Sequence, residues 1–135
     1  MIVDSSALVA LLLNEPESAA IAAELTRSSA NRISAGSYLE TSVVIDGRRS
    51  PAASRGFDAL LALHSIAVEP VTAEQAVIAR QAYRDYGRGS GHPARLNFGD
   101  CFAYALAKEF AEPLLYVGDD FGHTDIRSAL PSPTA

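Results

Sequence analysis

Asp4, Glu40, Asp100 and the pair Asp119 and Asp120 are the residues of this 135-residue chain whose types and placement could do chemistry. Asp4 lies in "MIVDSSALVALL", a lone carboxylate between a very short apolar run and a longer one. Burying it beside Ile2, Val3, Leu8 and Val9 is costly unless a partner satisfies it. It therefore either caps a helix or holds a metal. Acids drawn from separate stretches of chain to one place would repel, and their pKa values would climb unless a cation neutralised them. Oxygen ligands without Cys or His select a hard ion, Mg²⁺ with Mn²⁺ as substitute, which keeps several waters and takes few carboxylates directly. Such an ion polarises a phosphoryl oxygen and lowers the pKa of a bound water, so the matching chemistry is in-line hydrolysis of a phosphodiester. Each acid also has a plainer use: Asp4 as a cap, Glu40 as a solvated helix residue, Asp100 as a helix-dipole partner, Asp119 and Asp120 as turn formers.

The elements that must position these acids alternate between extended and helical patterns. Met1 to Val3 reads as a short buried strand, after which Ser5 or Ser6 caps a helix through Leu13. Asn14 ends that helix, and Pro16 opens a second one reaching about Arg27. Ile33 marks a brief strand. Ser34 then opens a helix that carries Glu40, with Tyr38, Leu39, Val43 and Ile45 as its apolar positions. Pro51 begins a helix whose Phe57, Leu60, Leu61 and Leu63 face the core, and "IAVEPV" alternates as a strand does. Thr72 and Gln75 form a capping box before a helix to about Tyr86. The glycine-rich "GRGSGHPARLNFGD" is the one long loop, left to move or to be shaped by a partner. A helix from about Gly99 carries Phe102, Leu106 and Phe110 on one face, and "PLLYVG" is the clearest strand.

Alternating strands and helices predict an α/β fold in three layers, with a central, mostly parallel sheet of four to five strands. Ligands of such sheets bind beyond the carboxyl ends of the strands, where strand order reverses. Asp4, Asp119 and Asp120 all stand at that edge.

Composition narrows the function. The length fits one domain, residues 1–130, with a loose tail at 131–135. The apolar run from Ala7 to Leu13 is far short of the roughly 20 residues that span a bilayer, and no basic residue precedes it as in a secretory signal, so a soluble cytoplasmic protein is expected. The single Cys101 excludes an internal disulfide, and His64, His92 and His123 lie too far apart for structural zinc. A net charge of −5 argues at first against nucleic acid, but the site acids account for most of it and leave the remainder nearly neutral. Arg80, Arg84 and Arg88 recur every fourth residue and read as one helix face, extended by His92 and Arg95 into a stripe that tracks phosphates. The plainer reading is a solvated face partly paired with Asp85. A receiver domain lacks its lysine here, a P-loop is absent, and "DSSA" lacks the second aspartate of a haloacid-dehalogenase-type phosphatase.

In order and spacing, "MIVDSSALVALLLNEPE", "SAGSYLET", "LNFGDCFAYALAK" and "PLLYVGDDFGHTDI" resemble the PIN-domain ribonucleases, and within them the VapC toxins of toxin-antitoxin pairs. The resemblance covers nearly the whole chain. It implies an acidic core of Asp4, Glu40 and Asp100 with a fourth acid from "GDDF". Where the family commonly reads Thr-x-Asp-x-Asp-Phe, this chain has Tyr116 and Gly118 at the first and third places, so Asp120 aligns and Asp119 is its adjacent substitute. Ser5 stands where Thr is common, and Ser6 is a further candidate. The resemblance implies a Mg²⁺-dependent endoribonuclease acting on structured RNA such as transfer RNA and leaving a 5′-phosphate and a 3′-hydroxyl. Asp4 and Asp100 would be the metal ligands, with Glu40 and Asp120 tuning the cluster and orienting water. It further implies a VapB-type antitoxin laid over apolar helices that include Leu12, Leu13 and Ile21, and a homodimer. A catalytically silent member of the fold that binds RNA or protein is the alternative, and a DNA-cutting member a third.

Overall fold

A computed structural model describes residues 1–131; the expected tail at 131–135 otherwise lies outside the described residues. The sheet comprises β1 (Ile2–Val3), β2 (Asn31–Ser34), β3 (Ile66–Glu69) and β4 (Leu114–Leu115), all parallel, in the order β3-β2-β1-β4. The chain steps outward from β1 to β3 and then returns to the other side of β1. Strand order therefore reverses at β1, and the crevice for a ligand opens above its carboxyl end.

Six helices cover the two faces: α1 (Ser5–Leu12), α2 (Ser18–Arg27), α3 (Ala35–Asp46), α4 (Pro51–Leu63), α5 (Ala73–Tyr86) and α6 (Phe98–Phe110). Neighbouring strand residues point to opposite faces, so the two-residue strands feed two cores. Val3 and Leu115 join Leu8, Ile21, Ile33, Ile45 and Phe57 on the side of α1 to α4. Ile2 and Leu114 join Ala82, Leu96, Tyr104 and Leu106 on the side of α5 and α6. This is the three-layer α/β/α arrangement that the alternation of elements predicts.

Several local expectations are corrected. Asp4, not Ser5 or Ser6, is the N-cap of α1, its carboxylate accepting from the Ser6 N–H at 3.1 Å. Pro16 does not open α2: it sits in a turn closed by Ser18 N–H donating to Glu15 O, and the helix starts two residues later. Leu63 is 76% exposed rather than core-facing, because α4 ends there and the chain turns away at His64. The Thr72 and Gln75 capping box is half formed: the Thr72 hydroxyl accepts from Gln75 N–H at 3.1 Å, while Gln75 Oε1 is buried without a partner. The run "PLLYVG" contributes only Leu114 and Leu115 to the sheet, both fully buried.

The long loop is pinned rather than free. Arg88 N–H donates to Leu96 O at 2.8 Å, Leu96 N–H donates to Tyr86 O at 2.9 Å, and Ala94 and Leu96 are fully buried. Its glycines supply backbone freedom at Gly89 (φ 93°) and Gly91 (φ 85°), where the turn needs positive φ.

Candidate active site

Asp4 leaves β1 while still tied to its neighbour strand, its N–H donating to Leu115 O at 2.9 Å. The Ser6 hydroxyl accepts from Val117 N–H at 3.0 Å and so stitches the start of α1 to the exit of β4. These two bonds fix Asp4 against the stretch that leads to Asp119 and Asp120. The carboxylate is only 3% exposed, and its Oδ1 has no hydrogen-bond partner. Asp4 is thus a cap through one oxygen and an unsatisfied buried acceptor through the other; the two readings of its role are compatible.

Ser34 caps α3, accepting from Gly36 N–H at 3.2 Å, and this sets the helix that carries Glu40 one layer above the sheet. The Ser5 hydroxyl donates to Glu40 Oε1. Asn97 caps α6 in a reciprocal box: its side chain accepts from Asp100 N–H at 2.9 Å, and Asp100 Oδ2 accepts from Asn97 N–H at 3.0 Å. One oxygen of Asp100 is thereby held and the other left available. Two glycines let the carrier helices approach. A Cβ at Gly36 would overlap the ring of Phe102, and a Cβ at Gly99 would overlap the Glu40 carboxylate.

Asp4, Glu40 and Asp100 line one cleft of about 410 Å³, together with Ser5, Ser6, Asn97 and Glu15. Among the described residues no three His, Cys, Asp or Glu side chains close into a ready ligand set. Each of the three acids is instead held by a neighbour, Asp4 by Ser6, Glu40 by Ser5 and Asp100 by Asn97. Burial, opposed by the Ser6 hydrogen bonds and reinforced by the charges of Asp100 and Glu40, pushes the Asp4 carboxyl up to about 6. Burial likewise pushes Asp100 up to about 6, with Asp120 and Glu40 adding to the rise and the Asn97 N–H and Arg88 opposing it. Like charges that raise one another in a desolvated cleft lower their energy by sharing a cation. The residues fit a hard divalent ion on that ground, and on the unpaired buried Asp4 Oδ1.

Asp119 and Asp120 stand exposed in the turn beyond β4, off the cleft wall. Of the two, Asp120 is the one whose charge acts on Asp100. The basic stripe does not hold as one helical face, because α5 ends at Tyr86 with an extended Gly87 as its C-cap, and the four-residue period stops before Arg88. Arg80 and Arg84 border an apolar groove between α5 and α6, Arg88 is exposed just beyond the end of α5, and Arg95 is exposed on the pinned loop. His92 is held edge-on to Tyr86, its Nδ1 accepting from Ala94 N–H at 3.1 Å. Asp85 accepts from Gln81, and among the described residues it pairs with no arginine. Sequence reasoning missed Glu15, Asn97 and Gly99. The Asn97 to Asp100 spacing is a capping-box signal; nothing local marks Glu15 or Gly99.

A family model described as PIN domain matches residues 1–127. Ribonuclease VapC28 of Mycobacterium tuberculosis is 54% identical over 130 residues, covering 96% of this chain and 98% of that protein. Ribonuclease VapC30 of the same species is 48% identical over 134 residues, covering 97% and 100%. The crystal structure of Mycobacterium tuberculosis VapC20, described as a sarcin-ricin loop cleaving toxin, superposes with a TM-score of 0.74 at 19% identity, covering 96% of this chain and 98% of that one. A toxin-antitoxin complex from Klebsiella pneumoniae gives 0.64 at 18% identity, covering 89% and 88%. The fold is that of the solved VapC toxin, and the chain belongs to the VapC ribonucleases of the PIN-domain family.

Proposed function

We propose that the protein is the Mg²⁺-dependent endoribonuclease toxin of a toxin-antitoxin pair, cutting structured RNA of the transfer-RNA class to leave a 5′-phosphate and a 3′-hydroxyl. The observation that carries this reading is the one cleft lined by Asp4, Glu40 and Asp100, with Asp4 Oδ1 buried and unpaired. Asp4 and Asp100 would hold Mg²⁺, or Mn²⁺ in its place; once bound, such an ion supplies polarisation of a phosphoryl oxygen and acidification of water. Glu40, kept in place by the Ser5 hydroxyl and backed by Gly99, orients the attacking water and receives its proton. Asp120 adds negative potential from the β4 turn and keeps the pocket selective for a cation.

Purified protein incubated with total cellular RNA in Mg²⁺, in Mn²⁺ and in chelator, followed by mapping of new 5′ ends, tests the reading. Discrete metal-dependent cuts within transfer RNA are expected, and Asp4→Ala and Asp100→Ala should remove them without unfolding the chain. Cuts that persist in chelator, or an Asp4→Ala variant of full activity, would refute it.

The antitoxin belongs on the apolar groove between α1 and α4, lined by Leu11, Leu12, Gly56, Ala59 and Leu60 with the exposed Leu63 at its edge. This groove runs along the helix that begins at the acid cleft. Exposed Leu39, Val43 and Phe98 on α3 and α6 form the apolar face expected of a homodimer. No helix among the described residues is long and apolar enough to cross a membrane, in keeping with action on cytoplasmic RNA.

A further inference from the structure

Leaving α5, the chain fixes one exposed arginine with unusual care. Gly87 lies so close to the Tyr83 carbonyl that no Cβ would fit, and it pairs with Leu96 in a parallel bridge. Arg88 N–H donates to Leu96 O at 2.8 Å, and Arg88 O accepts from the Tyr83 hydroxyl at 3.1 Å. Both polar groups of the Arg88 backbone are therefore tied, although its side chain is exposed. Behind it the turn is closed by Ser90 N–H donating to Gly87 O at 3.0 Å and by the Ser90 hydroxyl accepting from His92 N–H at 3.1 Å. A connection between two helices has no need of this; ordering each residue costs about 1–2 kcal/mol of backbone entropy.

The clasp fixes the Arg88 backbone beside one wall of the acid cleft, which Asn97 lines. Its bonding partner Leu96 is followed directly by Asn97, whose N–H holds Asp100 Oδ2 at 3.0 Å. The Arg88 backbone is thus one hydrogen bond and one peptide link from the residue that aims Asp100. Among the described residues Arg88 forms no ion pair, whereas Arg27 and Arg32 do. Arg80 and Arg84 differ: they rise from α5 beside the apolar groove and lack such an anchor.

We propose that Arg88 is a catalytic residue of this nuclease, its guanidinium contacting the non-bridging oxygens of the scissile phosphate across the acid cleft. The proposal rests on the endoribonuclease reading above and assigns within it a specific role to one residue. In the step concerned, the water oxygen forms a bond to phosphorus and its proton passes to Glu40. The bond from phosphorus to the 3′ oxygen breaks, and that oxygen keeps the electron pair and takes a proton from solvent. Arg88 exchanges no proton. Its planar fork meets the charge that builds on the two non-bridging oxygens, and its fixed backbone spares the reorganisation a free surface arginine would need.

The test uses an oligoribonucleotide carrying the cut site mapped in total RNA, with kcat and KM measured separately for wild type, Arg88→Ala, Arg88→Lys and Arg84→Ala. Anisotropy of the same RNA in chelator reads binding alone. Arg88→Ala should lower kcat about 100-fold, the scale of losing one oxyanion donor, with KM and chelator-phase affinity within about threefold of wild type. Arg88→Lys should recover part of kcat, and Arg84→Ala should change KM without changing kcat. An Arg88→Ala variant that keeps its kcat, or whose loss lies wholly in KM and binding, overturns the assignment while leaving the nuclease reading intact. A wild-type protein that makes no metal-dependent cut overturns both.

Discussion

At the residue scale, Asp4 carries a penalty that function explains and stability alone does not. Its folded pKa of about 6 stands above the ordinary 3.8. A carboxyl whose pKa is raised on folding costs nothing below pH 3.8, where folded and unfolded chains are both protonated. The cost grows between pH 3.8 and 6 and is present in full above 6. For a residue this buried it is worth about 3 kcal/mol at neutral pH. Asn keeps the capping oxygen for Ser6 N–H and removes the charge. Asp4→Asn should therefore raise the metal-free melting temperature by about 5–10 °C at pH 7.5, and the gain should vanish near pH 4. Mg²⁺ should stabilise wild type and leave Asp4→Asn unmoved, since only an ion held by the native carboxylate rewards folding. A thermal shift titration checks both; equal melting temperatures at pH 7.5 would mean that Asp4 carries no such penalty.

At the scale of elements, the site depends on how closely α3 and α6 approach. Gly36 lies against Phe102 and Gly99 against Glu40, so each helix offers a glycine to the other's side chain. Gly99→Ala should force the Glu40 carboxylate off the Ser5 hydroxyl, with RNA cleavage falling at least tenfold while circular dichroism stays native. Gly36→Ala, driven into an aromatic ring, should instead cost about 1–3 kcal/mol of stability in urea unfolding. A Gly99→Ala enzyme of normal activity would show that Glu40 need not sit where Ser5 holds it. Some helix starts were legible in the sequence because they are local: Ser34, Pro51 and Thr72 announce their helices within three or four residues. The placing of Asp4 and the "GDDF" turn was legible because each follows a strand of the parallel sheet and so comes to the same edge. Gly99 was not, because a glycine that clears a carboxylate on another helix looks like any other. Arg88 was named but misplaced, since whether its period belongs to α5 depends on where that helix stops. The loop around it was misjudged for a related reason: its glycines signal freedom, while buried Ala94 and Leu96 remove it.

At the scale of the whole molecule, a chain of net charge −5 has to bind a polyanion. Concentrated positive charge favours this, as would a cation in the acid cleft on the function proposed above. Arg80 and Arg84 border the α5 to α6 groove, and Arg88 follows beyond the end of α5 on the chain that leads to Asn97 and the cleft. Each single-strand phosphate neutralised contributes about −0.7 to the slope of log affinity against log salt. With Arg80 and Arg84 as the contacts that carry affinity, the slope measured at constant Mg²⁺ should be about −1.4, shallow for a nucleic-acid enzyme. Arg80→Ala and Arg84→Ala should each flatten it by about 0.7 and weaken all RNA sequences alike. Fluorescence anisotropy between 50 and 200 mM KCl measures this. A slope unchanged in both variants would place the RNA on another face and leave this stripe a solvated surface.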